Sequence, residues 1–468
     1  MQTNESVLSY NPILDTDSYK SSHFLQYPPG ASGLFAYIES RGGTYDRTLF
    51  FGLQYILSRY LSTRVTHAMV DEAKDLFLAH GEPFNEVGWR HIVDVHGGRL
   101  PLEIRAVLEG SIVPTGNALV TVRSTDPAVF WLAPYMETML LRVWYPLTVA
   151  TQSWSIKRVI RQFLDETSDD PAGQLLFKLH DFGARGVSSE ESAGIGGMAH
   201  LVNFRGTDTV SALRYAQAYY DEPMAGFSIP ASEHSTITSW GREGELNAYR
   251  NMLRQFGGPG KLFACVADSY DLFHAVDNLF GGALKEEIVA ANGMVVIRPD
   301  SGDPVEMALA TAKRLAEKFG ASRNAKGCLV LNRTRIIYGD GIHEASIRSI
   351  LREFKNHGFS ADNIAFGMGG ALLQQVNRDT QRMAMKTSAV LLPDGWRDVY
   401  KAPVTDPGKA SKKGLLSTFR NRATGEIRTF RLSEADPEAW EHQMRDTWRD
   451  GELLVRESLA EIRARSET

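Results

Sequence analysis

Cysteine is nearly absent: only Cys265 and Cys328 occur in 468 residues, so neither a disulfide framework nor a cysteine metal cluster organises this fold. Positive charge is not in excess either. With 51 Lys and Arg against 56 Asp and Glu, the net charge is -5, which argues against a general grip on nucleic acid. No apolar run approaches a membrane span, and the opening MQTNESVLSYNPILDTDSYK has no basic segment followed by an apolar one. The expectation is a cytoplasmic protein with no nucleic-acid and no membrane partner. His-x-His and His-Glu-x-x-His spacings are also missing, which makes a zinc hydrolase built on His180 and His234 a weak reading.

What is present is an ordinary globular composition, 43% apolar, in a chain long enough for two or three domains. Residues 1–170 alternate short helical and strand patterns and read as a mixed α/β sheet domain, with helices near 50–62 and 67–80. Residues 391–468 turn polar, with strands near 397–402 and 415–431 expected to complete that sheet. Between them, residues 171–390 repeat one unit, an apolar strand, a polar or glycine-rich loop and an amphipathic helix. The predicted strands are 175–179, 201–204, 227–229, 262–266, 294–297, 336–338, 364–366 and 387–391. Eight such strands in this length predict an irregular parallel α/β barrel beside the sheet domain.

The loops that follow these strands concentrate chemistry: HDFGARG (180–186), RGTD (205–208), SEHS (232–235), DSYD (268–271), RPDSGD (298–303), GDG (339–341) and GMGG (367–370). A parallel barrel delivers such loops to one face, so a site explains them better than turn chemistry does. Phe182 and Arg185 offer a flat apolar face and a planar cation, suited to a small aromatic ring. GMGG admits close approach of backbone N–H groups and is expected to open a helix carrying Arg378, although it lacks the full nucleotide glycine spacing. Arg298 and Asp300, held apart by Pro299, suit phosphate oxygens beside ribose hydroxyls or Mg²⁺. Lys409, Lys412 and Lys413 read as a solvated loop or as a cover for a phosphorylated ligand. His234 stays open at this point between a core or capping residue and a functional one.

The motifs TDSYK, QYPPG, FGLQYIL, WYPLTVAT, KLHDFGARGVSS, NFRGTDTV, SIPASEHSTITSWG, DSYD, IRPDSGDP, GDG, IAFGMGGALLQ and DPGKASKKG together resemble the nicotinamide phosphoribosyltransferases, type II phosphoribosyltransferases, over nearly the whole chain. The resemblance implies transfer of phosphoribose from phosphoribosyl pyrophosphate to nicotinamide, in NAD biosynthesis, by a homodimer with sites at the subunit interface. It implies Phe182 and, from the neighbouring subunit, Tyr19 on the pyridine ring, with Arg185, Asp208, Ser228 and Asp17 around it. Asp271, Arg298, Asp300, Gly339, Asp340, Gly369, Gly370 and Arg378 match the ribose and phosphate contacts. His234 matches a histidine phosphorylated by ATP, and Mg²⁺ is the expected metal. Ala184 and Ala267 depart from the residues common in the family. Other readings are a nicotinate phosphoribosyltransferase, a barrel phosphosugar isomerase or aldolase, and a non-catalytic binding dimer; no strand-end lysine supports the aldolase.

Overall fold

A computed structural model describes residues 9–405 and 410–467, so Lys409 lies outside the described residues. The chain divides into two compact units. One is Met1–Thr151, Tyr219–Asp221 and Asn377–Thr468, and the other is Gln152–Ala218 and Glu222–Val376. No helix among the described residues is long and apolar enough to cross a membrane.

The first unit is built on a seven-stranded antiparallel sheet. Its order is Gly395–Asp398, Met383–Leu392, Gly33–Ser40, Ala118–Ser124, Leu102–Val107, Met444–Arg449 and Glu452–Leu453. Gly33–Ser40 is buried along its whole length, as expected of a central strand covered on both faces. The run expected to end the barrel, 387–391, lies here instead, paired with Gly33–Ser40 across more than 340 residues of sequence. Its apolar pattern was compatible with either sheet, and only the distant partner decides. Of the C-terminal strands, Gly395–Asp398 joins this sheet, whereas Leu416–Asn421 and Ile427–Arg431 form a separate three-stranded sheet with Trp440–His442. The two sheets are linked where Thr418 Oγ1 donates to Ala118 O at 2.6 Å and Thr429 Oγ1 accepts from Ala118 N at 2.8 Å.

The second unit is the parallel barrel. Its strands run in the order Gly206–Thr207, Leu179–Asp181, Ile364–Met368, Thr334–Tyr338, Met294–Arg298, Leu262–Val266. Isolated parallel bridges, Gly206 to Phe227 and Ala231 to Ala264, connect the two edges through residues 227–231. That stave is irregular because Pro230 has no N–H to give the ladder. Its carbonyl still accepts from Ala264 N at 2.9 Å, and Phe227 N donates to Arg205 O at 2.7 Å. Two other expectations shift. Pro171–Leu175 is a helix, with Pro at its start and Asp170 capping Gly173 N, so the first strand begins only at Leu179. The helix Glu190–His200 runs into 201–204, leaving a two-residue strand after it.

The amphipathic helices form as predicted. Glu344–Asn356 buries Ile347, Ile350, Leu351 and Phe354, and Pro304–Phe319, capped by Asp303, buries Ala308, Ala312 and Leu315 against the sheet. Inside the ring, Ala264, Val296 and Ile337 pack with Phe182, Ile229 and Ala365.

Candidate active site

The strand ends of the second unit bring the polar loops together. Phe182 follows Leu179–Asp181; its N–H donates to Met368 O at 3.0 Å, and Asp181 Oδ1 accepts from Gly183 N at 2.7 Å, fixing the turn. The Phe182 ring occupies the space that a side chain at 367 would take: a Cβ there would lie 1.9 Å from Phe182 Cε2. Gly367 is therefore the floor on which the ring lies. The Arg298 guanidinium stands 5.8 Å from the ring centroid, within cation–π range.

Arg298 forks onto Asp300, with Nη2 at 2.8 Å from both carboxylate oxygens and Nε at 3.1 Å from Oδ1. Asp268, whose side chain is 5% exposed, ties three loops together. Its Oδ1 meets His234 Nε2 at 3.0 Å, and its Oδ2 accepts from Asp300 N at 3.0 Å and Ser301 Oγ at 2.5 Å. Burial pushes the Asp268 carboxyl up, but the hydrogen bonds from Ser301, His234 and Asp300 outweigh it and hold the group below its ordinary value. It is an anion beside a half-exposed histidine. Tyr338 OH donates to Ser301 O at 3.0 Å, pinning the same turn to the next strand; burial raises its hydroxyl to about 12, so it stays a donor.

His234 is the first residue of the helix His234–Thr238, and Glu233 and Thr236 form its capping box. The cap is thus Glu233, and the His234 side chain is left to face the cavity. Ser232 is buried and donates nothing to that helix; its Oγ accepts from Val266 N at 2.9 Å.

These groups line one cavity of about 630 Å³: Phe182, Arg185, Asp208, His234, Arg298, Asp300, Gly339, Asp340 and Gly369, joined by Ala184, Thr209, Glu233 and Ser235. A second, more apolar cavity of about 400 Å³ continues inside the ring between Phe177, Phe227, Ile229, Val296 and Ile337. Phe182, Asp208 and Arg298 border both. Ser228 lines the inner cavity and donates to Asp208 Oδ1. Asp208 is placed by its backbone N–H, which donates to Asp181 O at 2.9 Å. The arrangement is a polar, charged chamber opening onto an apolar slot, with one aromatic ring, one cation and one carboxylate at the junction.

Five expected residues stand elsewhere. Asp271 caps the short helix Leu272–His274, accepting from His274 N at 2.9 Å, and does not line either cavity. Gly370 begins a helix of only four residues, Gly370–Leu373, too short for a useful macrodipole, so backbone N–H groups alone remain for an anion there. Arg378 is not on that helix. Asn377 caps a separate 3-10 turn, accepting from Asp379 N and Thr380 N, and Arg378 pairs with Asp379 at 3.1 Å in the first unit. Tyr19 and Asp17 also belong to the first unit: Tyr19 is 55% exposed, with its ring edge-on to His23 at 4.8 Å, and Asp17 accepts from Thr138 Oγ1 at 2.7 Å. Sequence reasoning passed over Asp268 and Gly367. Asp268 stood in the DSYD loop, but its partners Asp300 and Ser301 lie more than 30 residues away.

The sequence model of the nicotinate phosphoribosyltransferase (NAPRTase) family matches residues 177–452. The chain belongs to that family. The N-terminal domain model of nicotinamide phosphoribosyltransferase matches residues 11–104. The chain is 57% identical over 459 residues to a nicotinamide phosphoribosyltransferase of Xanthomonas campestris pv. campestris, covering 98% of each. It is 32% identical to one of Acinetobacter baylyi, covering 97% of each. In fold it is similar to a nicotinate-nucleotide pyrophosphorylase from Pyrococcus furiosus, with a TM-score of 0.63 at 13% identity over 99% of this chain and 97% of the other. Human nicotinic acid phosphoribosyltransferase gives a TM-score of 0.54 at 17% identity over 97% and 92%.

Proposed function

We propose that the protein transfers the phosphoribosyl group of phosphoribosyl pyrophosphate to nicotinamide, releasing nicotinamide mononucleotide and pyrophosphate for NAD biosynthesis. The observation that carries this reading is the junction of Phe182, Asp208 and Ser228, in a chain 57% identical to a nicotinamide phosphoribosyltransferase over 98% of its length. Phe182 offers its face to the pyridine ring. Asp208 accepts from the carboxamide N–H₂, and the same carboxylate repels nicotinate, whose carboxylate has no proton to donate.

The chemistry asks for alignment rather than for a strong base. The pyridine nitrogen gives its lone pair to ribose C1, the C1–O bond breaks, and the electron pair leaves on pyrophosphate. No proton moves in that step, so the absence of a dedicated base among the strand-end loops is no obstacle. Arg298, with Gly339, Gly369 and Gly370 offering backbone N–H groups, grips phosphate oxygens. Arg185 stands beside the ring. Asp300 and Asp340 are the carboxylates that would hold Mg²⁺, which neutralises charge on pyrophosphate when bound. Two carboxylates in one phosphate-sized chamber fit an ion carried in largely by its substrate.

ATP is read as an activator. Its γ-phosphoryl passes to His234, on the ring nitrogen that Asp268 does not engage, as the β–γ P–O bond breaks and ADP leaves, and the added charge of up to about −2 reorganises the Mg²⁺ and pyrophosphate environment. Tyr19 and Asp17 are assigned to the ring site of a second copy, so the working unit is a homodimer, and the reading places it in the cytoplasm. Asp208→Asn tests the choice of base: it should narrow the preference for nicotinamide over nicotinate by about 10-fold or more, and an unchanged ratio removes the role given to Asp208.

A further inference from the structure

The first unit holds a second cluster of chemistry that the phosphoribosyl site does not use. His91 and His96 lie on the helix Glu86–His96, and Asp126 caps the 3-10 turn Pro127–Val129. Nε2 of each histidine stands 2.7 Å from the same Asp126 oxygen, Oδ2. The donor atoms of all three side chains lie within 4.8 Å of one another. The other carboxylate oxygen is already committed: Oδ1 accepts from Ala128 N at 2.8 Å, so the backbone aims Oδ2 at the two imidazoles.

We propose that His91, His96 and Asp126 bind a divalent transition metal of the zinc class. Two neutral imidazoles and a carboxylate are a donor set that zinc takes, with water in the fourth position. The three side chains are only 31%, 25% and 20% exposed, partly shielded yet open to a water ligand. Bonds of about 2.0–2.2 Å to a tetrahedral ion separate ligand atoms by about 3.4 Å, so each imidazole must retreat from Asp126 Oδ2 by less than about 1 Å. Small side-chain rotations provide that. Binding exchanges two N–H donors crowded on one oxygen for a shared cation, each neutral imidazole shifting its one proton from Nε2 to Nδ1.

The spacing hid the site from motif reading, because 30 residues separate His96 from Asp126 and the histidines are five apart. The ion would clamp the end of a helix to the turn that follows the strand Ala118–Ser124. None of the three residues lines either cavity, so the effect is on the stability of the first unit rather than on the transfer reaction. Mg²⁺, which favours oxygen ligands and near-octahedral geometry, is not expected to compete.

The test uses tag-free, full-length protein stripped with a chelator, then titrated with Zn²⁺ by calorimetry and with Co²⁺ by visible absorption. The expected result is one ion per chain, Co²⁺ bands of four-coordinate intensity, and a rise of several degrees in Tm on adding Zn²⁺. His91→Gln and His96→Gln keep an amide N–H for Asp126 but remove the imidazole; each should weaken binding by about 10-fold or more and abolish the Tm rise. Asp126→Asn, which keeps the Ala128 cap, should do the same and serves if a glutamine variant fails to fold. No saturable binding, binding unaltered in all three variants, or a persisting Tm rise would overturn the site.

Discussion

Gly367→Ala puts a methyl group where the Phe182 ring lies. Its Cβ would sit 1.9, 2.1 and 2.8 Å from Cε2, Cδ2 and Cζ of that ring, whereas carbon atoms pack comfortably only at about 3.5 Å and beyond. The ring must retreat by roughly 1.5 Å or the strand Ile364–Met368 must move, and overpacking of this kind costs about 1–3 kcal/mol. The catalytic cost is expected to be larger than the structural one. A platform displaced by more than an ångström misaligns the pyridine nitrogen from ribose C1, where a 1 Å error costs on the order of 100-fold. Steady-state kinetics should show kcat/KM for nicotinamide down by about 100-fold, with KM for phosphoribosyl pyrophosphate changing much less. Phe182→Ala separates the two effects. In the Phe182→Ala background the alanine at 367 meets no ring, so its stability penalty should vanish while nicotinamide kinetics stay impaired, a coupling that a double-mutant cycle reads directly. Unaltered nicotinamide kinetics in a folded Gly367→Ala protein would refute Phe182 as the ring platform.

His234→Ala should abolish the stimulation by ATP while leaving a basal, ATP-independent turnover; loss of both in a folded protein that still binds substrates would contradict the division of labour between His234 and the phosphate-binding loops. Stability should also titrate through Glu109, which is fully buried, accepts from Gly52 N and Gln54 N at 3.0 and 2.7 Å and from Tyr220 OH at 2.9 Å, and has Glu457 nearby. Burial raises its carboxyl to about 7, so the folded state holds the proton more tightly than the unfolded one. That contribution, on the order of 3 kcal/mol, is full below about pH 4.5 and is lost as pH rises through about 7. Tm should therefore fall between pH 5 and 8 by an amount that Glu109→Gln largely removes, and an identical slope in the variant would sink the assignment.

The barrel was legible where local pattern suffices. Leu262–Val266, Met294–Arg298, Thr334–Tyr338 and Ile364–Met368 are mainly apolar strands whose central residues are largely buried, and such runs read the same in isolation as in the sheet. Strand 383–392 was visible as a strand, but its membership was not, since its partner Gly33–Ser40 lies far back in the chain. The weak stave 227–231 and the two-residue strand Gly206–Thr207 carry too little pattern to place closely. The site shows the same divide. Residue types and strand-end positions announced Phe182, Asp208, His234, Arg298 and Asp300, and those side chains do meet around one cavity. Asp268 and Gly367 were not announced, because one acts through hydrogen bonds to a distant loop and the other through the space it leaves empty.

Pyrophosphate release from phosphoribosyl pyrophosphate and Mg²⁺, measured with nicotinamide and nicotinate side by side and with and without ATP, bears most directly on the assigned reaction. Turnover should favour nicotinamide by about 100-fold or more in kcat/KM, rise with ATP, and lose much of its selectivity in Asp208→Asn. Equal or faster turnover with nicotinate would hand the reaction to the acid, and no turnover with either base would contradict the transfer itself.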